Sequence, residues 1–152
     1  MVKHPSDPTL TYLAQPYWHS NPLVRQQRVE IGAAAAAFLM QGGWRVFAPV
    51  QQGDTVRHYL PSVFVHDHRF WMEQDLPMLE ALGHLHLLPL PGWRESRGLA
   101  EELKLCRDSN IPVRVLQSAQ RDTTLESIQD QEIAYNNWAV SFLATPLHEI
   151  KP

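Results

Sequence analysis

Short apolar runs and helix-like runs take turns along this chain, and that alternation constrains the fold more than any single residue does. Leu10 to Ala14 (LTYLA), Trp44 to Val50 (WRVFAPV), His84 to Leu90 (HLHLLPL) and Ile111 to Leu116 (IPVRVL) read as strands. Pro8 and Pro16 bound the first, and Pro49 marks the end of the second. Between them lie three helical patterns. The Ala-rich run Leu23 to Met40 ends at Gly42 and Gly43, and Phe70 to Leu82 has Trp71, Leu79 and Leu82 as core candidates and Pro77 forcing a kink or a late start. Leu99 to Asp108 is the third, with apolar residues at helical spacing up to Cys106. Crossovers of this length suit parallel pairing, so the order predicts an α/β fold: a Rossmann-like or flavodoxin-like three-layer domain with a mainly parallel central sheet.

A chain of 152 residues makes one domain with a real core, and two would be cramped. A net charge of −3 argues against a face for long nucleic acid, though a small nucleotide needs only a local phosphate site. The single cysteine, Cys106, has no internal disulfide partner and sits in a helical pattern as a small hydrophobe. With no signal-peptide core at the N-terminus and no apolar run near the roughly 20 residues that span a bilayer, a cytoplasmic protein without a membrane role is expected. Residues 117–152 read as a C-terminal helical extension. In it Leu125, Ile128, Tyr135, Trp138 and Phe142 place an amphipathic helix between Thr124 and Leu143, to cover the sheet or join a partner subunit.

In open α/β sheets ligands bind outside the strands' carboxyl ends, which directs attention to the turns. The stretch GWRESRGLAEEL, Gly92 to Leu103, follows the third apolar run and opens into a helix. Ser96 and Gly98 suit that helix start, and Trp93 adjoins it. Glu102 falls about one turn in, near the crevice mouth. Glu101 points about 100° away and belongs in water. After the first strand, QPYWHSNP offers Tyr17 and Trp18 for stacking and His19, Ser20 and Asn21 for hydrogen bonds; a proline-punctuated polar turn is the alternative. Arg25 and Arg28 oppose the dipole of their helix and ask for an acidic or phosphate partner, or else for a surface salt bridge. The polar segment from Gln51 to His68 is a candidate lid. Its His58, His66, His68, Asp54 and Asp67 lack metal-ligand spacing, so neither a metal nor a cofactor is expected. Asp75, on the Phe70 to Leu82 pattern, is either solvated or brought to the same strand ends as Glu102.

Taken together and in order from about Thr11 to Leu116, YLAQPYWH, the Arg-bearing helix, FWMEQDLPML and GWRESRGLAEEL followed by IPV resemble the nucleoside 2-deoxyribosyltransferase-like superfamily, and within it a small bacterial and phage family of unknown function. The resemblance implies a core over residues 9–116 that cleaves or transfers at an N-glycosidic bond of a small nucleoside or its 5′-monophosphate. It implies that Glu102, four residues after Gly98 and followed by Leu103, is the nucleophile, and that Asp75 binds sugar or base and moves a proton. Ser96, six residues before Glu102, matches the phosphate-binding serine of the monophosphate hydrolases, and Tyr17, His19 and Arg25 match the substrate loop and helix start loosely. A homodimer or higher homo-oligomer is implied as well. Two features depart from the superfamily's pattern: Gly83 and His84 stand where it often has a second Asp, and no partner-subunit residue matches in the tail. A catalytically silent nucleotide-binding or interaction module on the same fold is the alternative, since fold does not fix function. A flavodoxin-like redox domain is disfavoured by the missing Ser/Thr-rich first loop.

Overall fold

The computed structural model describes residues 10–116 and 147–149. Four parallel strands, β1 (Leu10–Ala14), β2 (Arg45–Phe47), β3 (Leu85–Leu87) and β4 (Val113–Leu116), form a sheet, and β5 (Leu147–Glu149) joins β4 as an antiparallel edge. The order across the sheet is β2-β1-β3-β4-β5. The chain moves outward from β1 to β2, then returns across β1 to β3. That reversal opens a crevice beyond the carboxyl ends of β1 and β3.

Helix α1 (Pro22–Gln41) packs on one face of the sheet, while α4 (His68–Leu82) and α5 (Arg97–Asp108) pack on the other. The three-layer α/β expectation holds. Alternation along β1 feeds both cores: Leu13 joins Ile31, Ala35 and Leu39 of α1, whereas Tyr12 and Ala14 join Leu79, Leu99 and Cys106. Within the alanine run Ala35 and Ala36 are buried and Ala33 and Ala37 exposed, so small side chains bring the middle of this helix close to the strands between Ile31 and Leu39. On the α1 face Thr11 Oγ1 lies 2.6 Å from His86 Nδ1 and 3.1 Å from His84 Nδ1, beneath Trp44. Burial pushes His86 down to about 3, so it is neutral.

Several sequence expectations change. The second strand stops at Phe47, and Pro49 opens α2 (Pro49–Val56) at its first turn, where a missing N–H is harmless. The anticipated polar loop 51–68 is therefore mostly helical: α2 runs into a 3₁₀ turn, Arg57–Tyr59, followed by the short α3 (Ser62–Val65). Asp67 caps α4 by accepting from Arg69 and Phe70, so that helix begins two residues earlier than expected and runs on through Pro77. Pro77 is exposed, as is Glu73, whose carbonyl loses that partner and is left to solvent. In the C-terminal extension, Leu147–Glu149 is strand and not helix; the expected helix from Thr124 to Leu143 lies outside the described residues. Among the described residues no helix is long and apolar enough to cross a membrane.

Gln15, buried at the end of β1, ties the site's scaffold together. Its Nε2 donates to the Arg28 carbonyl (2.8 Å) and its Oε1 accepts from Gln51 Nε2 (3.0 Å), joining β1, α1 and α2. Gly32 lies beneath both amides, and any Cβ there would overlap Gln15 Oε1.

Candidate active site

A cavity of about 910 Å³ opens at the β1/β3 reversal. Its wall takes Gln15 to His19 in part from the loop after β1, Gly53, Asp54 and Arg57 from α2 and the turn beyond it, Trp71, Met72 and Asp75 from α4, and Ser96 to Leu99 with Glu102 from α5. Tyr17, His19, Asp75, Ser96, Gly98 and Glu102, all singled out in the sequence, come together here. Two candidates do not. Arg25 lies behind the loop, donating to the His19 carbonyl and stacking over Trp18 at 4.7 Å, and Trp93 packs against the α5 side of the core with Arg94 over its ring.

Glu102 is the most deeply placed acid of the site, at 6% exposure. It sits on the inner face of α5, which Ser96 caps by accepting from Leu99 N (3.3 Å). Burial, then the neighbouring Asp75 charge, holds its carboxyl well above the usual range, and the nearby Tyr12 hydroxyl opposes them. Tyr12 Oη and Glu102 Oε2 are both buried, and neither meets a hydrogen-bonding partner among the described residues. Burial also pushes Asp75 up to about 6. Two carboxyls displaced upward in one cavity titrate as a coupled pair, and near neutral pH that pair holds a proton. Glu101, as its register predicts, turns outward, but it is not simply in water: Oε2 lies 3.2 Å from His68 Nε2. Gly98 keeps the approach open. A Cβ there would stand 3.7 Å from Glu102 Oε1 and 3.5 Å from Met72 Cε.

Arg28 makes neither the acidic contact nor the surface salt bridge its position suggested among the described residues. It is buried, donating to the carbonyls of Trp18 (2.8 Å) and Pro91 (2.9 Å), and it makes no ion pair with a described residue. The guanidinium therefore ties the loop after β1 to the turn after β3 and leaves positive charge in the cavity wall. Gly92, at φ 89°, lets that turn pass over it, since a Cβ would lie 2.7 Å from Arg28 Nη2. His19 feels the charge: burial first, then Arg28 and Arg25, lower its pKa, so it remains neutral while Nδ1 accepts from Asn21 N (2.9 Å). The feature that sequence reasoning missed most completely is Asp54, considered only among metal candidates. It lies on the cavity wall, hydrogen-bonded to Tyr17 and Arg57. Among the described residues no group of three or more His, Cys, Asp or Glu is arranged to hold a metal ion.

A family model described as "Domain of unknown function (DUF1937)" matches residues 9–118, and the chain belongs to that family. No curated protein matches it. The matched span contains the four parallel strands and every described residue of the cavity wall.

Proposed function

We propose that the protein cleaves the N-glycosidic bond of a nucleoside 5′-monophosphate in the cytoplasm, by hydrolysis or by transfer of the sugar to a second base. The observation that carries this reading is the Asp75 and Glu102 pair, two carboxyls held above their ordinary pKa on the wall of one switch-point cavity. Enzymes that work on glycosidic bonds need one carboxylate and one carboxylic acid at the same pH. The resemblance to the nucleoside 2-deoxyribosyltransferase-like superfamily assigns the roles. The Glu102 carboxylate attacks C1′ as the C1′–N bond breaks, the bond's electron pair goes to the base, and the base takes the proton from Asp75. The glycosyl ester on Glu102 is then resolved by water, from which Asp75 removes a proton, or by the ring nitrogen of an incoming base. The Tyr12 hydroxyl, buried near Glu102 and unpartnered among the described residues, is available to stabilise the ionised form that the attack requires.

The phosphate half of the reading rests on charge. Arg28 has no acidic partner among the described residues, Arg97 begins α5, and the N-terminal end of that helix, with its positive dipole end, lines the crevice. Ser96 is a helix cap, yet its hydroxyl proton remains available to donate. If Ser96 contacts phosphate, Ser96→Ala lowers the rate for a monophosphate at least tenfold more than for the matching nucleoside, whereas a cap alone gives equal losses. The resemblance also implies a homodimer. Tyr59, Val63 and Phe64, exposed beside cavity-lining Val65, are apolar surface that a partner would cover, and sedimentation velocity reads the outcome directly.

One observation favours a second reading, a nucleotide-binding module without turnover: burial favours the protonated form of Glu102, and a protonated carboxyl is no nucleophile. Incubation with a panel of nucleosides and monophosphates decides between them. Release of free base supports the glycosidase; tight binding with no release from any member supports the silent module.

A further inference from the structure

The chemistry above leaves one polar cluster of the cavity unused. Asp54 Oδ1 accepts from the Tyr17 hydroxyl at 2.6 Å and from Arg57 Nε at 3.3 Å, and no described residue donates to Oδ2. Asp54 and Arg57 alone would be an ordinary, partly exposed i,i+3 pair that implies nothing. Tyr17 changes that reading. It arrives from a separate segment, the loop after β1, and its hydroxyl is committed to orienting this carboxylate. Burial, then the Asp54 acceptor, pushes the phenol up to about 12, so it remains a donor. Two donors fill Oδ1 and fix the plane of the carboxylate, while Oδ2 stays open beside a guanidinium whose terminal N–H groups meet no acceptor among the described residues.

All three side chains line the cavity that holds Glu102, together with Trp18 and Trp71. Trp18 is 58% exposed and is braced by Arg25 over its ring and by His66 edge-on at 5.2 Å. An open acceptor beside an open donor, near indole rings, complements a planar heterocycle that carries an N–H next to a ring nitrogen or carbonyl oxygen.

Resting on the nucleotide reading, we propose that Asp54 and Arg57, oriented by Tyr17, recognise the edge of the nucleobase: Asp54 Oδ2 accepts from a base N–H and Arg57 donates to the adjacent acceptor. This makes the end of α2 and the turn after it the specificity element of the site, separate from the bond-breaking pair on α4 and α5.

Free bases test it without any cleavage, because they have neither a glycosidic bond nor a phosphate. Wild-type protein is titrated calorimetrically with adenine, cytosine, uracil and hypoxanthine, and with N6,N6-dimethyladenine, N4,N4-dimethylcytosine, 3-methyluracil and 1-methylhypoxanthine. At least one base binds, and methylation of its donor weakens binding tenfold or more. In Asp54→Asn, which keeps the shape but offers an N–H or a neutral oxygen, that discrimination falls below threefold. Failure of all four bases to bind at millimolar concentration, equal binding of parent and methylated forms, or discrimination that survives Asp54→Asn overturns the proposal. Because the comparison of parent and methylated bases uses wild-type protein, it stands even if the variant folds poorly. Base release from a monophosphate without this discrimination removes the subsite and leaves the cleavage reading intact; discrimination without release does the reverse.

Discussion

Asp75→Asn should make the protein more stable at alkaline pH, and the gain should disappear in acid. Burial raises the Asp75 carboxyl from 3.8 to about 6, so the folded protein holds that proton to a higher pH than the unfolded chain does. Wild-type stability is therefore fully present below about pH 4 and falls as pH rises through about 6, the opposite of a carboxylate held in an ion pair. The difference corresponds to about 3 kcal/mol at pH 8, an upper figure, set against the roughly 5–15 kcal/mol typical of whole domains. No described residue donates a hydrogen bond to Asp75, so an uncharged amide of the same shape removes the penalty and little else. Urea unfolding of the full chain at pH 4 and pH 8 measures this. With a slope near 2 kcal/mol/M, the variant's midpoint should exceed wild type by roughly 1.5 M at pH 8 and match it at pH 4. A variant less stable than wild type at pH 8, or a difference independent of pH, refutes the assignment of Asp75 as a desolvated acid. The residue would then be stabilising the fold instead of burdening it for the site.

The same coupled pair gives base release a bell-shaped pH profile: the acid limb falls near pH 6, where the pair loses its first proton, and the alkaline limb lies above the ordinary carboxylate range, where it loses the second. A profile flat from pH 5 to 9 would contradict it. Gly32→Ala should destabilise by at least about 2 kcal/mol in urea, since the new Cβ displaces the buried Gln15 amide and breaks its bonds to α1 and α2. Cys106, buried and pushed up to about 12 by burial, should resist iodoacetamide in native protein at pH 8 and react at once in denaturant; rapid native labelling would place it elsewhere. Glu101→Ala should retain at least a third of wild-type base release, because Glu101 faces His68 outside the pair.

The apolar runs revealed the parallel strands because β1, β3 and β4 bury side chains in the core and β2 packs half-buried Val46 and Phe47 against it, and a short hydrophobic run flanked by turn residues has few other uses. Pro49 misled, since proline ends a strand and opens a helix with the same letter. Residues 51–68 looked like a loop because α2 and α3 are too short to display a helical stripe, and α2 turns the polar Asp54 to the cavity. Glu102 was legible from register alone, one turn into a helix after a strand end. Its burial beside Asp75 and Tyr12 was not, being a product of α4 and β1 meeting α5. Asp54 could not be read, because Tyr17 lies 37 residues away and only the fold joins them. Arg25, marked by its place early in a helix and a loose match to the superfamily, and Trp93, marked by adjoining a helix start, both turn away from the cavity, because position along a helix or turn does not fix the direction a side chain faces. Arg28 shows the limit of the dipole argument: a cation early in a helix found backbone carbonyls from two loops instead of an acid.

The central claim is a sugar carried on Glu102, and trapping it is the most direct measurement. Protein incubated with a 2-deoxy-2-fluoro-arabinosyl nucleoside 5′-monophosphate, whose fluorine slows the second step more than the first, is digested and read by mass spectrometry. One fluorosugar-phosphate per chain on the peptide containing Glu102, absent in Glu102→Ala and present in Glu101→Ala, is the result predicted. Stoichiometric release of base with the label on Asp75, or release with no label on any residue, would contradict it.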